Sequence, residues 1–291
     1  MTDVSADEGT PGENERAQAG SLRRVPRFHV GRSSSGKGDG GDHDGGGGDT
    51  GERASDSTLV VGDEFALSRE TSRHLTSVLR ASPGDALCLF DGDGHDYHAE
   101  LLDAGRAARV RVLSRAANPN DSPLRVTLVQ GVSRGDRMDA TVRQAVELGV
   151  AHIVPVRTRR SAVKLDAGRA AKRHAHWQGI VVSACEQSGR ARLPVLAPLV
   201  DLADWLAGFD PRASDGCVLV PGAERRLVDV PHAPERDIAI LIGPESGLDE
   251  AEIAAALGVG LQPASLGPRI LRTETAGPAA LAVLQARHGD L

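Results

Sequence analysis

Two hydrophobic rhythms divide the chain. From residue 124 onward, short continuous apolar runs alternate with stretches whose apolar positions recur at helical spacing. Residues 124–129, 152–156, 217–220 and 238–242 are such runs, and 137–148, 170–187, 249–257 and 274–286 carry the helical spacing. Strands apolar on both faces, separated by helices, predict a mainly parallel sheet covered on both sides. Earlier in the chain the rhythm is that of short strands, at 22–30, 59–61, 84–90, 97–102 and 108–113. One amphipathic helix, 68–79, interrupts them and carries Leu75, Val78 and Leu79 on one face. Several short strands with a single helix predict a small β-barrel, a scaffold often used for RNA.

The connecting stretches set the expected domain limits. Residues 1–20 are polar and without period, and read as a disordered tail. A barrel is expected over 21–116, interrupted at 31–57 by a Gly- and Asp-rich disordered insertion, then a linker at 117–123 and an α/β domain at 124–291. The insertion holds one irregular tract rather than repeated nonapeptides, which argues against a calcium-binding solenoid.

Composition changes this picture in three places. Aromatic residues are only 2% of the 291, so the cores must be built from Val, Leu, Ile and Ala. The formal charge of −6 argues against nucleic acid, yet residues 117–200 hold 13 basic against 6 acidic side chains, and the middle of the chain is locally cationic. No apolar run is long enough to span a bilayer, so a soluble, cytoplasmic protein is expected. Cys88, Cys185 and Cys217 are far apart and match no metal spacing, the turn at 91–96 lacks the glycine of a calcium loop, and His174 and His176 have no Cys partner; no metal is expected.

Candidate chemistry concentrates in the last quarter. Leu241-Ile-Gly-Pro-Glu-Ser-Gly-Leu248 and Ser265-Leu-Gly-Pro-Arg-Ile-Leu-Arg-Thr-Glu-Thr-Ala276 each follow a short apolar run, as loops leaving strand ends do. In open α/β sheets the ligand crevice lies there, and glycine lets main-chain groups approach the ligand. The pair reads as a cofactor clamp. A dinucleotide fold would need Gly-x-Gly-x-x-Gly opening an early helix, and the glycines from 243 to 247 come too late with another spacing.

Five ordered blocks carry a family resemblance. His74 to Arg80 with Gly84-Asp85 and Leu89 to Gly92, Gln144 to Val150, Pro155 with Arg159 to Ser161, Glu186 to Arg190, and the two C-terminal loops resemble the ribosomal RNA small subunit methyltransferase E family of the SPOUT class. The resemblance implies a PUA-like β-barrel followed by an α/β trefoil-knot domain. It also implies a homodimer and methylation of uridine N3 in 16S ribosomal RNA of the small ribosomal subunit, with S-adenosylmethionine as donor. Leu241, Gly243, Pro244, Glu245, Gly247, Leu266, Gly267, Ile270 and Leu271 are the residues expected around the cofactor. Arg272 and Glu274 are candidates for catalysis, with Glu274 alternatively a cap of the last helix, and the proton acceptor stays unassigned. Arg157, Arg159, Arg160, Lys164, Arg169, Lys172, Arg173 and Arg190 are expected along the RNA groove. Ser246 and Leu248 depart from the family pattern, which usually has glycine and an aromatic there. A positive φ at Ser246 would strain the loop. A protein that keeps the fold, binds RNA and transfers no methyl group is the alternative.

Overall fold

The structure is a computed structural model describing residues 25–31, 59–161 and 166–291. The expectations for the tail at 1–20, for most of the insertion and for Lys164 therefore lie outside the described residues. Two sheets are present. The first has five strands, β1 (Arg27–His29), β2 (Glu64–Ala66), β3 (Ala86–Phe90), β4 (His95–Asp103) and β5 (Arg109–Ala117), in the order β1-β3-β4-β5-β2. It is a curled half-barrel in which β1 pairs parallel with β3 and the other pairs are antiparallel. Phe28, Phe65, Leu75, Leu87, Leu89, Tyr97, Leu101, Val110 and Val112 form its core.

Here the sequence pattern misleads in two places. Val60 and Val61 are exposed rather than in a strand, because the Asp63 carboxylate accepts the Val60 N–H at 2.8 Å and bends the chain. The strand follows at β2. Helix α1 (Arg69–Arg73) passes into a π-helical turn (His74–Val78), closed by the Leu79 N–H to the His74 carbonyl. That i to i+5 winding rotates Val78 (66% exposed) away from the core, and Leu79 is exposed too.

The second sheet is parallel throughout, in the order β12-β10-β11-β6-β7-β8. Its strands are β6 (Val126–Gly131), β7 (His152–Arg157), β8 (Val195–Leu196), β10 (Ser214–Leu219), β11 (Asp237–Ile242) and β12 (Gln262–Ala264), with the short β9 (Val200–Asp201) also on β7. Helices α2 (Asp136–Glu147), α3 (Ala167–Ser188) and α6 (Thr273–His288) bury Met138, Val142, Trp177, Val181, Leu281 and Leu284 on one face. On the other, α4 (Leu202–Ala207) and α5 (Glu250–Gly258) cover Val129, Val156, Val218 and Leu241. Two covered faces explain the continuous apolar runs. After β12 the chain runs beside the β10–β11 connection, where Ser265 donates to the Arg225 carbonyl and accepts from the Leu227 N–H, both within 2.9 Å. It then turns back as α6 onto α2 and β6. This path accords with the trefoil arrangement.

The Glu186 to Arg190 block joins the two sheets. Glu186 accepts the His29 N–H at 3.0 Å, the Arg190 carbonyl accepts from Arg27, and Asn118 and Asn120 both donate to the Gly189 carbonyl. Burial raises the Glu186 carboxyl above its ordinary value, although the His29 N–H opposes the shift. Arg190 corrects an expectation: it is 5% exposed, donates to the Val146 and Val150 carbonyls and pairs with Asp121 at 3.3 Å. Its guanidinium is engaged inside the protein, where it closes the end of α2 against the sheet joint rather than lying along an exposed groove.

Candidate active site

Parallel strands end on one side, so the loops following β10, β11 and β12 meet at the same edge. A cavity of about 590 Å³ lies between them, within the range of small-ligand sites. Both glycine loops line it: Gly243, Pro244, Glu245 and Gly247 from the first, Leu266, Gly267, Ile270 and Leu271 from the second. Gly247 (φ +71°) and Gly267 (φ +100°) occupy the left-handed region, where a side chain is strained. At Gly243 the need is different, since a Cβ would stand 2.8 Å from the Leu248 backbone nitrogen. Leu241 corrects an expectation. Its side chain is fully buried in the apolar layer beneath α4 and α5 and does not line the cavity. Strand alternation places it on the wrong face.

The first loop is fixed by its neighbours. Asp249 and Glu252 form a reciprocal capping box at the start of α5, holding the loop's exit. Ser246 has no positive φ, since Arg80 is the single non-glycine residue in that region among those described. Its hydroxyl donates to the Arg160 carbonyl at 2.6 Å, so the departure from glycine adds an anchor. Arg160 in turn donates to the Ser246 and Leu248 carbonyls, and the Arg159 N–H donates to Glu252 at 2.7 Å. Leu248 closes an apolar wall with Leu219, Val220, Ile242 and Ile253.

The second loop is tied to the first through a residue that no sequence signal marked. Thr273 donates its hydroxyl to the Gly243 carbonyl at 2.8 Å and accepts from Gln130 at 2.9 Å, both buried. Arg137, at the start of α2, is equally unmarked by spacing. It pairs with Glu245 at 3.0 Å and approaches Glu274 at 3.7 Å. Desolvation pushes the Glu245 carboxyl up, but the N–H of Arg134 and the guanidinium of Arg137 outweigh it, and the group sits below its ordinary value.

Glu274 stands in the first turn of α6 and makes no cap hydrogen bond. The carboxylate is 20% exposed, yet its Oε2 is shut from solvent and has no hydrogen-bond partner. A buried acceptor without a donor is costly unless something supplies one. Arg272, 80% exposed, lies 4.0 Å from the other oxygen at the cavity mouth. Ile270, on the same rim, is 83% exposed.

The expected RNA-groove residues are only partly assembled. Arg157 pairs with Asp201 at 2.7 Å, Arg159 with Asp249 at 3.4 Å, and Arg169 with Asp166 at 3.3 Å. Lys172 and Arg173 lie on α3, with Lys172 exposed. Trp177 is buried and donates to Asp139, a packing role. All three cysteines are buried; burial pushes Cys185 and Cys217 up to about 12, which leaves them unreactive thiols.

Comparison with known proteins places this geometry. Residues 120–285 match the family model of an RNA methyltransferase domain, and residues 67–113 that of an RNA methyltransferase PUA domain. Ribosomal RNA small subunit methyltransferase E from Buchnera aphidicola subsp. Schizaphis graminum is 30% identical over 234 residues, 80% of this chain and 94% of its own. The protein of that name from Synechocystis sp. is 34% identical over 221 residues, 73% of this chain and 70% of its own. Among solved structures, methyltransferase Lpg2936 from Legionella pneumophila, in complex with the cofactor SAM, superposes with a TM-score of 0.79 at 34% identity, covering 92% of this chain and 100% of that one. The ribosomal RNA small subunit methyltransferase E of Neisseria gonorrhoeae, bound to S-adenosyl methionine, gives 0.78 at 37% identity, covering 92% and 99%. On the strength of both matched segments and relatives similar over most of their length, the chain belongs to the ribosomal RNA small subunit methyltransferase E family.

Proposed function

We propose that the protein transfers the methyl group of S-adenosylmethionine to N3 of a uridine in 16S ribosomal RNA. The observation that carries this is the cavity bounded by both glycine loops, with the Glu274 side chain in its lining and no hydrogen-bond donor committed to that carboxylate. The cofactor's sulfonium supplies an electrophilic methyl group. The main chain around Gly243, Gly247, Leu266 and Gly267 holds it, and the apolar wall of Leu219, Val220, Ile242 and Leu248 keeps water out. Uracil N3 carries a proton that must leave as the N–C bond forms and the C–S bond breaks. The Glu274 carboxylate, in the cavity lining and without a hydrogen-bond donor of its own, takes that proton. Arg137 and Arg272 hold positive charge beside the carboxylate and the developing uracilate.

Arg159 and Arg160, clasping the first loop, and Arg169, Lys172 and Arg173 along α3 form the track that brings RNA to the cavity mouth. The active form is a homodimer in the cytoplasm; no helix among the described residues is long and apolar enough to cross a membrane. The alternative, an RNA binder without methyl transfer, would be marked by loss of cofactor binding through Ser246; the absence of a positive φ there favours the enzyme, and calorimetry with S-adenosylmethionine separates the two. Primer extension on 16S ribosomal RNA from cells lacking the protein tests the reaction. A stop present in wild type should vanish in the deletion and return on complementation, because an N3 methyl blocks base pairing. An unchanged stop pattern overturns the proposal.

A further inference from the structure

A second cationic site lies on the five-stranded sheet, away from the cavity. A concavity of about 670 Å³ opens between α1 with its π-turn and the β4–β5 connection, lined by Arg69, Arg73, Thr76, Ser77 and Arg106. The three arginines are exposed, and none has a carboxylate within ion-pair distance among the described residues. Elsewhere on the same sheet the arginines are neutralised: Arg109 and Arg111 both pair with Glu64, and Arg115 with Asp93. Glu70, the sole acid on α1 and its π-turn, is instead close enough to Glu186 for their repulsion to raise that carboxyl, which places it toward the joint between the sheets. Arg80 extends the row past the π-turn, exposed and held at φ +53°, a conformation costly for any residue but glycine. Arg69 and Arg73 are one α-helical turn apart and so share a face.

The Asp103 carboxylate beside this face is engaged by the Gly105 N–H and pairs with none of the three arginines, so in a chain whose net charge is −6 the unpaired guanidinium groups attract a polyanion locally. We propose that this face binds the phosphodiester backbone of the RNA substrate, with Arg69, Arg73 and Arg106 on successive phosphates and Ser77 as a hydroxyl donor. The face grips RNA without reading its sequence, since guanidinium contacts to phosphate position a strand rather than identify it. The proposal rests on the family's action on ribosomal RNA but not on the N3 chemistry.

The test uses the full-length protein with a 16S ribosomal RNA fragment. In the Arg69→Ala, Arg73→Ala, Arg106→Ala variant, the slope of log affinity against log salt should fall by about 2 to 3, near 0.9 per lost phosphate contact to a duplex and 0.7 to a single strand. Cofactor affinity by calorimetry and kcat at saturating RNA should stay at the wild-type value while KM for RNA rises at least tenfold. Charge-retaining Lys replacements should restore most of the slope. An unchanged slope and KM overturn the proposal, including the case in which the face docks an acidic protein instead. Absence of a methylated product with the slope change intact would count against the proposed reaction and leave this site standing.

Discussion

At the scale of single residues, the site depends on one unpaired oxygen and two backbone conformations. Glu274→Gln keeps the size of the side chain and puts a donor or a weak acceptor where Oε2 stands. The expected result is a fall in the single-turnover methyl-transfer rate of about 10²-fold or more, with cofactor affinity within a few-fold of wild type; an unaltered rate would remove Glu274 as proton acceptor. Gly247→Ala places a Cβ at φ +71° with open space around it, so its cost is conformational alone. About 1 to 2 kcal/mol of strain, if relieved by shifting the loop, lowers cofactor affinity roughly five- to thirtyfold by calorimetry. These positions differ in how legible they were. The glycines announce themselves by type, and Glu274 by its place in the second loop, whereas Thr273 and Arg137 act through distant partners that no local pattern encodes. Leu241 was misread because adjacency in sequence to Gly243 says nothing about which side of the sheet a strand residue faces.

Among elements, the sheet joint and the end of α2 carry the sharpest consequences. Arg190 fills three carbonyl and carboxylate acceptors from a buried position, so Arg190→Leu takes the countercharge from Asp121, which keeps only the Arg192 N–H, and strips the Val150 carbonyl of its side-chain donor. A loss of about 3 kcal/mol or more is expected in urea unfolding, far beyond what deletion of an exposed RNA contact would cost. Glu186 provides a signed pH effect. Its folded carboxyl is raised above the ordinary 4.5, so the folded state binds the proton more tightly than the unfolded one. Stability is therefore greatest below the unfolded value and declines as pH rises through the folded value. Glu186→Gln keeps an acceptor for the His29 N–H and should flatten that decline when unfolding midpoints are compared between about pH 4 and 7; a variant that keeps the wild-type slope would show that another group is responsible. The long parallel strands were legible because burial on two faces leaves an unbroken apolar run. β8 and β9 were not, being two residues each, and β12 contains Pro263, which weakens any strand signal. Strand order was also hidden, since periodicity reports burial and not neighbours.

For the whole molecule, ligand and fold are linked through the same loops. A cofactor bound between three strand ends and the start of α6 stabilises the native state only, by about 2.7 kcal/mol at a concentration 100 times its Kd. Adding S-adenosylmethionine should therefore raise the thermal midpoint, and the rise should be reduced in Gly247→Ala; a midpoint insensitive to the cofactor would contradict the assignment of the cavity. The cationic face on the five-stranded sheet could not be found by counting charge along the sequence. The dense basic run at 157–173 drew attention there, yet several of its members are committed to carboxylates.

Thr273 has a further consequence, because its hydroxyl fastens Gly243 and it arrives late in synthesis. The five-stranded sheet is complete once Ala117 has emerged, while the cavity lacks its second wall until residues 265–276 follow. At about 5–20 residues per second, that interval is on the order of ten to thirty seconds. Throughout it a nascent chain carries the arginine-lined face but cannot close its donor site, which is completed only when the final helix arrives.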